Sequence, residues 1–353
     1  MRHEFLEIAA DQPTFEQKIA FLSQRGAYSH EVHEVSRRET HMSWVFLTDD
    51  RVYKLKKPVR FPYLDFSTLE RREAACRAEL RLNRRLAADV YLAVAPLTAT
   101  DRGLAIDGKG TVVDWLVVMR RLDEDQTLEH AIQAGQIEAW QIDRLAAALI
   151  QFYRHAAPVF LSKEVQFSEW RHSLAYNRRV LLDSRLRLPC GLVHQLDRVQ
   201  GRFLRTRPDL LADRIRGRKI VDGHGDLRPE HIWLGDPVSI IDCLEFNAHL
   251  RAVDPFDEIS FLSLECERLG SAATGEYLKR HVSRGLRDGL SEELFLFYRC
   301  HRATLRARLA IAHLLEPNPR TPEKWPRLAR TYLRLAAADA RRLDALLKRR
   351  RGR

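Results

Sequence analysis

The order of apolar and polar positions along the chain changes character twice. Residues 14 to 25 carry apolar side chains at the three- and four-residue spacing of a short amphipathic helix. The stretch WVFLTDDRVYKLKK, 44 to 57, instead has two β-rich runs around a polar Thr-Asp-Asp turn, which predicts a hairpin. After the proline-broken connection KPVRFPYLDF a long helix is predicted to about Leu86. Ser67 and Glu70 have the S-x-x-E spacing in which each side chain satisfies the other's free backbone N–H, so they are expected to start it. Ala75, Glu79, Leu82 and Leu86 fall on one stripe of that helix. Glu79 is therefore a carboxylate on a packed face, and such a group requires a partner. VYLAVAPLT (90–98) and TVVDWLVVMRRL (111–122) read as further strands around an Asp-Arg-Gly turn. From 123 the period is helical through most of the chain to 215. The segment IVDGHGDLRPEHIWLGDPVSIIDCLEF, 220–246, interrupts it with two β-rich runs, expected to form an inserted hairpin and followed by Asp226 and Asp242. Helices resume near 256, PNPRTPEKWP (317–326) is a proline-rich loop, and no internal repeat is evident.

This order predicts an α+β protein: a small sheet with one helix, then a larger helical part carrying the inserted hairpin. A chain of 353 residues is long for one core and fits two lobes, placed at 1–119 and 120–353 with a hinge at about 119–123. No apolar run approaches the ~18 residues that span a membrane. The start, MRHEFLEIAADQPTFEQK, carries acids where a signal peptide is apolar, so a cytoplasmic location without a membrane partner is expected. The five cysteines, at 76, 190, 243, 266 and 300, never form a CxxC pair, which argues against both a disulfide framework and a zinc knuckle. The net charge of +11 matters through its distribution: from Arg299 onward there are 16 basic and 4 acidic residues, so the excess is C-terminal. There the leucines of LARTYLRLAAADARRLDALLKRRRGR recur at helical spacing with arginines opposite. A solvated helix face explains this pattern; contact with RNA or an acidic partner is the other reading, and nucleic acid is not the expected partner.

Candidate chemistry gathers on a few residues. A lysine in the second strand of the first hairpin, Lys54, can pair with Glu79 and still reach nucleotide phosphates as a point charge. Lys56 shares its face and is the rival. Asp242, closing the apolar run VSII, offers a hard cation carboxylate oxygen. Asp226 could orient or deprotonate an attacking hydroxyl. Each residue alone has an ordinary explanation as an ion pair or a turn former, and it is the combination in this order that points to phosphoryl transfer. No G-x-x-x-x-G-K-[ST] occurs, which excludes a P-loop mechanism.

HGDLRPEHIWL followed by IIDCLEF resembles the H-G-D-x-x-x-x-N and distal I-D signature of the aminoglycoside phosphotransferase family, whose fold is similar to that of the eukaryotic protein kinases. ETHMSWVFLTDDRVYKLKKPVRFPYLDFSTLERR resembles a bacterial branch of the same family, and the likeness covers roughly residues 36 to 310. It implies a bilobal, protein-kinase-like architecture and ATP as cofactor. Carried over position by position, it implies Lys54 on the nucleotide phosphates with Glu79 as its partner, Asp226 as catalytic base and Asp242 as the ligand of Mg2+. It further implies a hinge from Met119 to Leu122 in which backbone groups of Arg120 and Leu122 bond adenine. His224 and Asp257 are implied as supports of the catalytic loop.

Two departures qualify the likeness. The nucleotide-covering turn, ETHMSW, lacks the glycines of protein kinases, and Ser43 with its backbone N–H is expected to cover the phosphates instead. The metal-binding asparagine of the family falls on His231, and imidazole suits Mn2+ or another transition ion better than Mg2+. His231 thus implies a shifted metal preference, the loss of one metal or weak catalysis, unless it only bonds the loop. The expected function is ATP-dependent transfer of the γ-phosphate to a hydroxyl of a small molecule. The alternative is a nucleotide-binding pseudokinase with a regulatory or scaffold role. The basic C-terminal part favours an anionic or neutral acceptor over a cationic one.

Overall fold

The computed structural model describes residues 12–349 except 62, 317, 318 and 320. The chain divides into two units, one ending at Asp123 and taking back Ser239–Asn247, the other built from Glu124–Val238 and Ala248 onward. The run that carries Asp242 therefore belongs to the first unit, although its place in sequence suggested the second. Parts of the 317–326 loop and the last residues of the basic tail lie outside the described residues.

In the first unit α1 (Phe15–Leu22) precedes an antiparallel sheet of β1 (Ser36–Glu39), β2 (Ser43–Leu47) and β3 (Arg51–Lys56). A small pair, β4 (Arg60–Phe61) and β5 (Leu64–Asp65), leads to α2 (Leu69–Asn83). The sheet is completed by β6 (Tyr91–Thr100), β7 (Gly103–Ile106) and β8 (Thr111–Arg120), in the order β1-β2-β3-β8-β6-β7. The expected hairpin is β2–β3, with Val45 opposite Lys54. Strand β1, whose SRRE sequence has no apolar residue to signal it, was not legible.

Two-residue alternation explains what each face meets. Tyr53 and Leu55 of β3 and Leu116 and Val118 of β8 join Leu22, Phe46 and Leu97 in one core. Val52, Val117 and Met119 turn to the opposite face, where Cys76 of α2 and Tyr91 pack. Lys54 and Lys56 share parity with Val52, so the sheet delivers both lysines to the α2 side.

The start of α2 corrects the expectation. Its N-cap is Thr68, whose hydroxyl accepts from the Arg71 N–H, and the helix ends at Asn83 rather than Leu86. Ser67 instead donates its N–H and hydroxyl to Asp65 Oδ1, at 3.0 and 2.6 Å, because Asp65 outcompetes the helix for it. These bonds and the Arg71 guanidinium hold the Asp65 carboxyl down at about 2. Its contribution to stability is therefore complete above the ordinary value of 3.8 and is lost as the pH falls through the lowered one. An NMR titration of the side-chain carboxyl is expected to find this low midpoint; one near 3.8 would refute the Ser67–Asp65–Arg71 arrangement.

The second unit holds α3 (Leu128–Ala134), α4 (Ala139–His155), α5 (Lys163–Leu181), α6 (Cys190–Thr206) and α7 (Pro208–Arg216) before the Asp226 segment. After it come α8 (Ala248–Arg251), α9 (Pro255–Arg268), α10 (Ala272–Leu286), α11 (Glu292–Ala312) and α12 (Lys324–Arg349). Phe203, Phe261, Phe297, Leu333 and Leu343 represent its main core, which draws on α5, α6, α9, α11 and α12. Within the segment expected to form the inserted hairpin, the first run does not pair with the second. Strand β9 (Val221–Asp222) is two residues long and pairs with Ala252–Val253.

The C-terminal arginines divide by their partners. Arg299 is buried and donates to Asp339 Oδ2 at 3.0 Å and to Ser263 Oγ at 2.8 Å. On α12 the stripe Ala329, Leu333, Ala336, Ala340, Leu343 and Leu347 is buried, while Arg327, Arg330, Arg334 and Arg341 are exposed on the other side. Among the described residues no helix is long and apolar enough to cross a membrane. Four cysteines, Cys76, Cys243, Cys266 and Cys300, are buried free thiols, and Cys190 is an exposed one.

Candidate active site

Five charged side chains of the first unit form one network. Glu79 lies on the buried stripe of α2 and is fully buried. Its Oε1 accepts from Lys54 Nζ at 2.8 Å and its Oε2 from Lys56 Nζ at 2.6 Å. Lys54 also donates to Asp242 Oδ1 at 2.9 Å, and Lys56 to Glu245 Oε1 at 2.5 Å. The rival lysines are therefore both engaged, in different ways. The Asp242 side chain is 46% exposed, whereas Lys56 and Glu245 are enclosed at 1% and 9%.

Burial opposes every charge here, and the neighbours decide the outcome. For Lys54 the carboxylates of Asp242 and Glu79 outweigh burial and hold the ammonium well above its ordinary range. For Glu79 the two lysines overcome burial and hold the carboxyl below its usual range. Glu245 goes the other way, raised by burial despite Lys56, with repulsion from Glu79 adding to it.

Backbone bonds fix the segment that carries Asp242. The Ile240 N–H donates to the Leu86 carbonyl at 3.1 Å, the Asp242 N–H to Tyr91 Oη at 3.2 Å and the Cys243 N–H to Asn83 Oδ1 at 2.9 Å. Asp242 itself has φ +63, the left-handed region that aspartate tolerates better than most residues and that recurs at functional positions.

In the second unit Asp226 sits on a loop held from below. Glu258, in the first turn of α9, accepts from the His224 N–H at 2.9 Å and also from the Gly225 N–H and the Tyr153 hydroxyl. Asp257, the residue expected to brace this loop, instead accepts two bonds from Arg302, at 2.8 and 2.6 Å. The side chain of Asp257 therefore points to α11, and its neighbour in sequence serves the loop. His224 is fully buried, and its Nδ1 accepts from the Asp226 N–H at 3.3 Å. Around the Asp226 carboxylate stand Arg228 at 3.7 Å and His231 Nδ1 at 4.0 Å. Arg302 and Arg306, whose charges burial opposes, are supported in part by Asp226 as well.

Two glycines are dictated by this loop. Gly225 has φ +91, which side chains rarely adopt. At Gly223 a Cβ would lie 2.5 Å from Val253 Cγ2 and 2.8 Å from Glu258 Oε2. Gly223→Ala is expected to cost about 1–3 kcal/mol of stability by overpacking, read from the urea midpoint. Wild-type stability in this variant would mean that the brace can move aside.

The remaining expected residues are placed as follows. Ser43 is 2% exposed, and its N–H donates to Thr40 Oγ1 at 2.9 Å, closing the β1–β2 turn. Met119 is buried in β8. The Arg120 N–H donates to the Val90 carbonyl and the Arg121 N–H to the Asp50 carbonyl, both at 2.8 Å. The N–H of Leu122 has no such partner among the described residues.

A Mg2+ ion is commonly held by one or two carboxylates plus substrate phosphates. Among the described residues no three His, Cys, Asp or Glu side chains gather as a ready-made cage. The half-exposed carboxylate of Asp242 fits the phosphate-shared kind of site. His231 offers different chemistry. Its Nδ1 lies 3.0 Å from the Asp226 carbonyl, which can only accept, so Nδ1 donates there and a metal ion would take Nε2. That nitrogen suits a transition ion.

Of the four residues expected to act together, Lys54, Glu79 and Asp242 meet directly in the first unit, and Asp226 belongs to the second. Sequence reasoning missed Glu245 and Glu258. The signal that found Glu79, a carboxylate among apolar neighbours, was present for both, in CLEF and in FDEISFL.

No family model matches the chain. Uncharacterized proteins of Mycobacterium tuberculosis and Mycobacterium bovis are 33% identical over 289 residues, covering 80% of this chain and 56% of theirs. The chain thus spans about half the length of the curated relatives it matches. Among solved structures, a choline/ethanolamine kinase family protein from Mesorhizobium loti matches with a TM-score of 0.53 at 15% identity, over 92% of this chain and 99% of its own. A choline kinase from Cryptosporidium parvum matches at 0.56 and 10%, over 93% and 96%. A thermostable mutant of the aminoglycoside phosphotransferase APH(4)-Ia, in a ternary complex with ADP and hygromycin B, matches at 0.52 and 12%, over 93% and 98%.

The chain has the aminoglycoside phosphotransferase fold. On this fold the chain carries a turn closed by Thr40 and Ser43, two lysines on Glu79, and His231 in the Asp226 loop.

Proposed function

We propose that the protein is an ATP-dependent phosphotransferase acting on a hydroxyl of a small molecule. The observation that supports this most directly is Lys54, whose ammonium is shared between a fully buried glutamate and a half-exposed aspartate. A structural ion pair needs only the first of these partners. The second makes Lys54 a cation that can exchange one oxygen anion for another, which is what binding a phosphate requires.

In this proposal the two units act as the two lobes read from the sequence, with Ser239–Asn247 moved to the first. The first binds nucleotide. Lys54 meets the phosphates, and the Leu122 N–H, just past β8, donates to the adenine edge beside Met119 and Arg120. Ser43 holds the covering turn. Asp242, with the phosphates, would hold Mg2+ or Mn2+, which neutralises charge on the transferring group when bound; His231 is the second candidate ligand. The second unit carries the acceptor chemistry. The acceptor oxygen attacks the γ-phosphorus, the bond to the β-phosphate oxygen breaks, ADP leaves, and the hydroxyl proton passes to Asp226. Glu258, with its bonds to the loop, keeps Asp226 in position. The fold neighbours, choline kinases and an aminoglycoside phosphotransferase with ADP and hygromycin B, support the same reaction class.

The test is a metabolite-pool screen for an ATP-dependent mass gain of one phosphate, run with Mg2+ and Mn2+ in parallel. A gain that disappears with Asp226→Asn is expected. Nucleotide binding without any phosphorylated product under either metal would replace this reading by that of a non-catalytic nucleotide-binding protein.

A further inference from the structure

Glu79 is paired twice. Its two carboxylate oxygens are taken by two lysines from one strand face, and each lysine continues to a carboxylate of the same nine-residue segment, Ser239–Asn247. The result is an alternating row of charges, Asp242, Lys54, Glu79, Lys56 and Glu245. Its two ends differ in one respect. The Lys54–Asp242 end is partly open, at 15% and 46% side-chain exposure, and the Lys56–Glu245 end is closed, at 1% and 9%. Lys56 is further enclosed by the Phe66 ring, 4.9 Å from its ammonium. An incoming anion can therefore compete for Lys54 but not for Lys56.

We infer that Lys56 and Glu245 are positioning residues that make the exchange at Lys54 possible. The inference rests on the phosphotransferase reading given above. If Lys54 turned toward phosphate in a site with one lysine, the buried carboxylate of Glu79 would lose part of its only compensation, and such a loss is costly. Here Glu79 keeps Lys56. Asp242, released by Lys54, also stays in place, because Glu245 three residues on remains tied to β3 through Lys56. The closed pair thus holds the Asp242 carboxylate ready for the cation that accompanies the phosphates. The bonds to Leu86, Tyr91 and Asn83 hold the backbone at residues 240, 242 and 243, and Glu245 adds the tie to β3.

The geometry separates this role from simple support of the fold. Removing Lys56 alone strands two buried carboxylates, so Lys56→Met is expected to lower the melting temperature. Removing both ends in Lys56→Met/Glu245→Met leaves no stranded charge and is expected to recover most of that stability. The double variant should still bind Mn2+ poorly. With a non-hydrolysable ATP analogue present, the Mn2+ dissociation constant read by electron paramagnetic resonance should rise by about tenfold or more, as when an outer-shell support is lost. Affinity for the analogue without metal should fall in the double variant as well, because Lys54 is then the one lysine left to Glu79, and should change little in Glu245→Gln, which keeps Lys56. Glu245→Gln, nearly isosteric, provides the same readout in case the double variant does not fold. Wild-type Mn2+ affinity in a folded double variant, or in Glu245→Gln, would overturn the inference. Failure of the wild-type protein itself to bind the analogue would instead overturn the phosphotransferase reading.

Discussion

Asp226→Asn is expected to reduce phosphoryl transfer by about 10²- to 10⁴-fold, the contribution of a positioned general base, while leaving nucleotide affinity close to that of the wild type. The asymmetry follows from the division of the chain. The Lys54–Glu79–Asp242 cluster is complete within the first unit, and Asp226 is carried by a loop of the second. The backbone of that loop is fixed by bonds that the substitution leaves intact, since His224 and Gly225 donate to Glu258 and not to Asp226. Steady-state rates on the acceptor found by the screen, with analogue binding measured by calorimetry, separate the two effects. An equal loss of affinity and turnover would mean that Asp226 serves the structure of the loop and not the proton.

The second large effect is expected at Glu258, a residue that does not approach the reacting groups. Glu258→Ala leaves the N–H groups of His224 and Gly225 and the hydroxyl of Tyr153 without their acceptor in a fully buried place. At ~1–3 kcal/mol for each stranded donor, the loss should be about 3 kcal/mol or more, read from urea unfolding. A loss below ~1 kcal/mol would mean that the loop finds other partners.

Glu258 also imposes a pH dependence. Burial raises its carboxyl above the ordinary 4.5, against the bonds from Gly225, His224 and Tyr153. A raised carboxyl stabilises the fold fully below the unfolded value and ceases to do so as the pH rises through the folded one. Wild-type stability should therefore carry a downward component above pH ~4.5 that Glu258→Gln removes, because glutamine still accepts the backbone bonds but does not titrate. Identical slopes in the two proteins would show that Glu258 is not the titrating group.

Much of the candidate site was legible because its residues violate local rules. Glu79 stands on an apolar helical stripe, and Lys54 and Lys56 stand in a strand otherwise made to pack. Such positions are unfavourable unless a partner waits elsewhere in the chain. Which partner cannot be deduced from spacing. Lys54 against Lys56 stayed open for this reason, and both proved to be right about Glu79 while only Lys54 reaches Asp242. Local competition also misled: Ser67 has the spacing of a cap, but Asp65 takes its hydroxyl and Thr68 caps the helix.

What the sequence by itself determined is the set of elements and the side chains that need charge partners, since two-residue and 3.6-residue periods and the cost of burying a charge act over a few neighbouring positions. Hence the β2–β3 hairpin, the α2 stripe with Glu79, the HGD loop and the exposed arginines of α12 could be read in advance. Only the tertiary structure decided that Asp242 and Glu245 return to the first unit, that two lysines share one glutamate, and that Glu258 instead of Asp257 holds the Asp226 loop. Each of those outcomes joins residues between 23 and 189 positions apart. At such separations the direction of a side chain is set by the packing of whole helices and strands, and adjacent acids with the same propensities can face different partners.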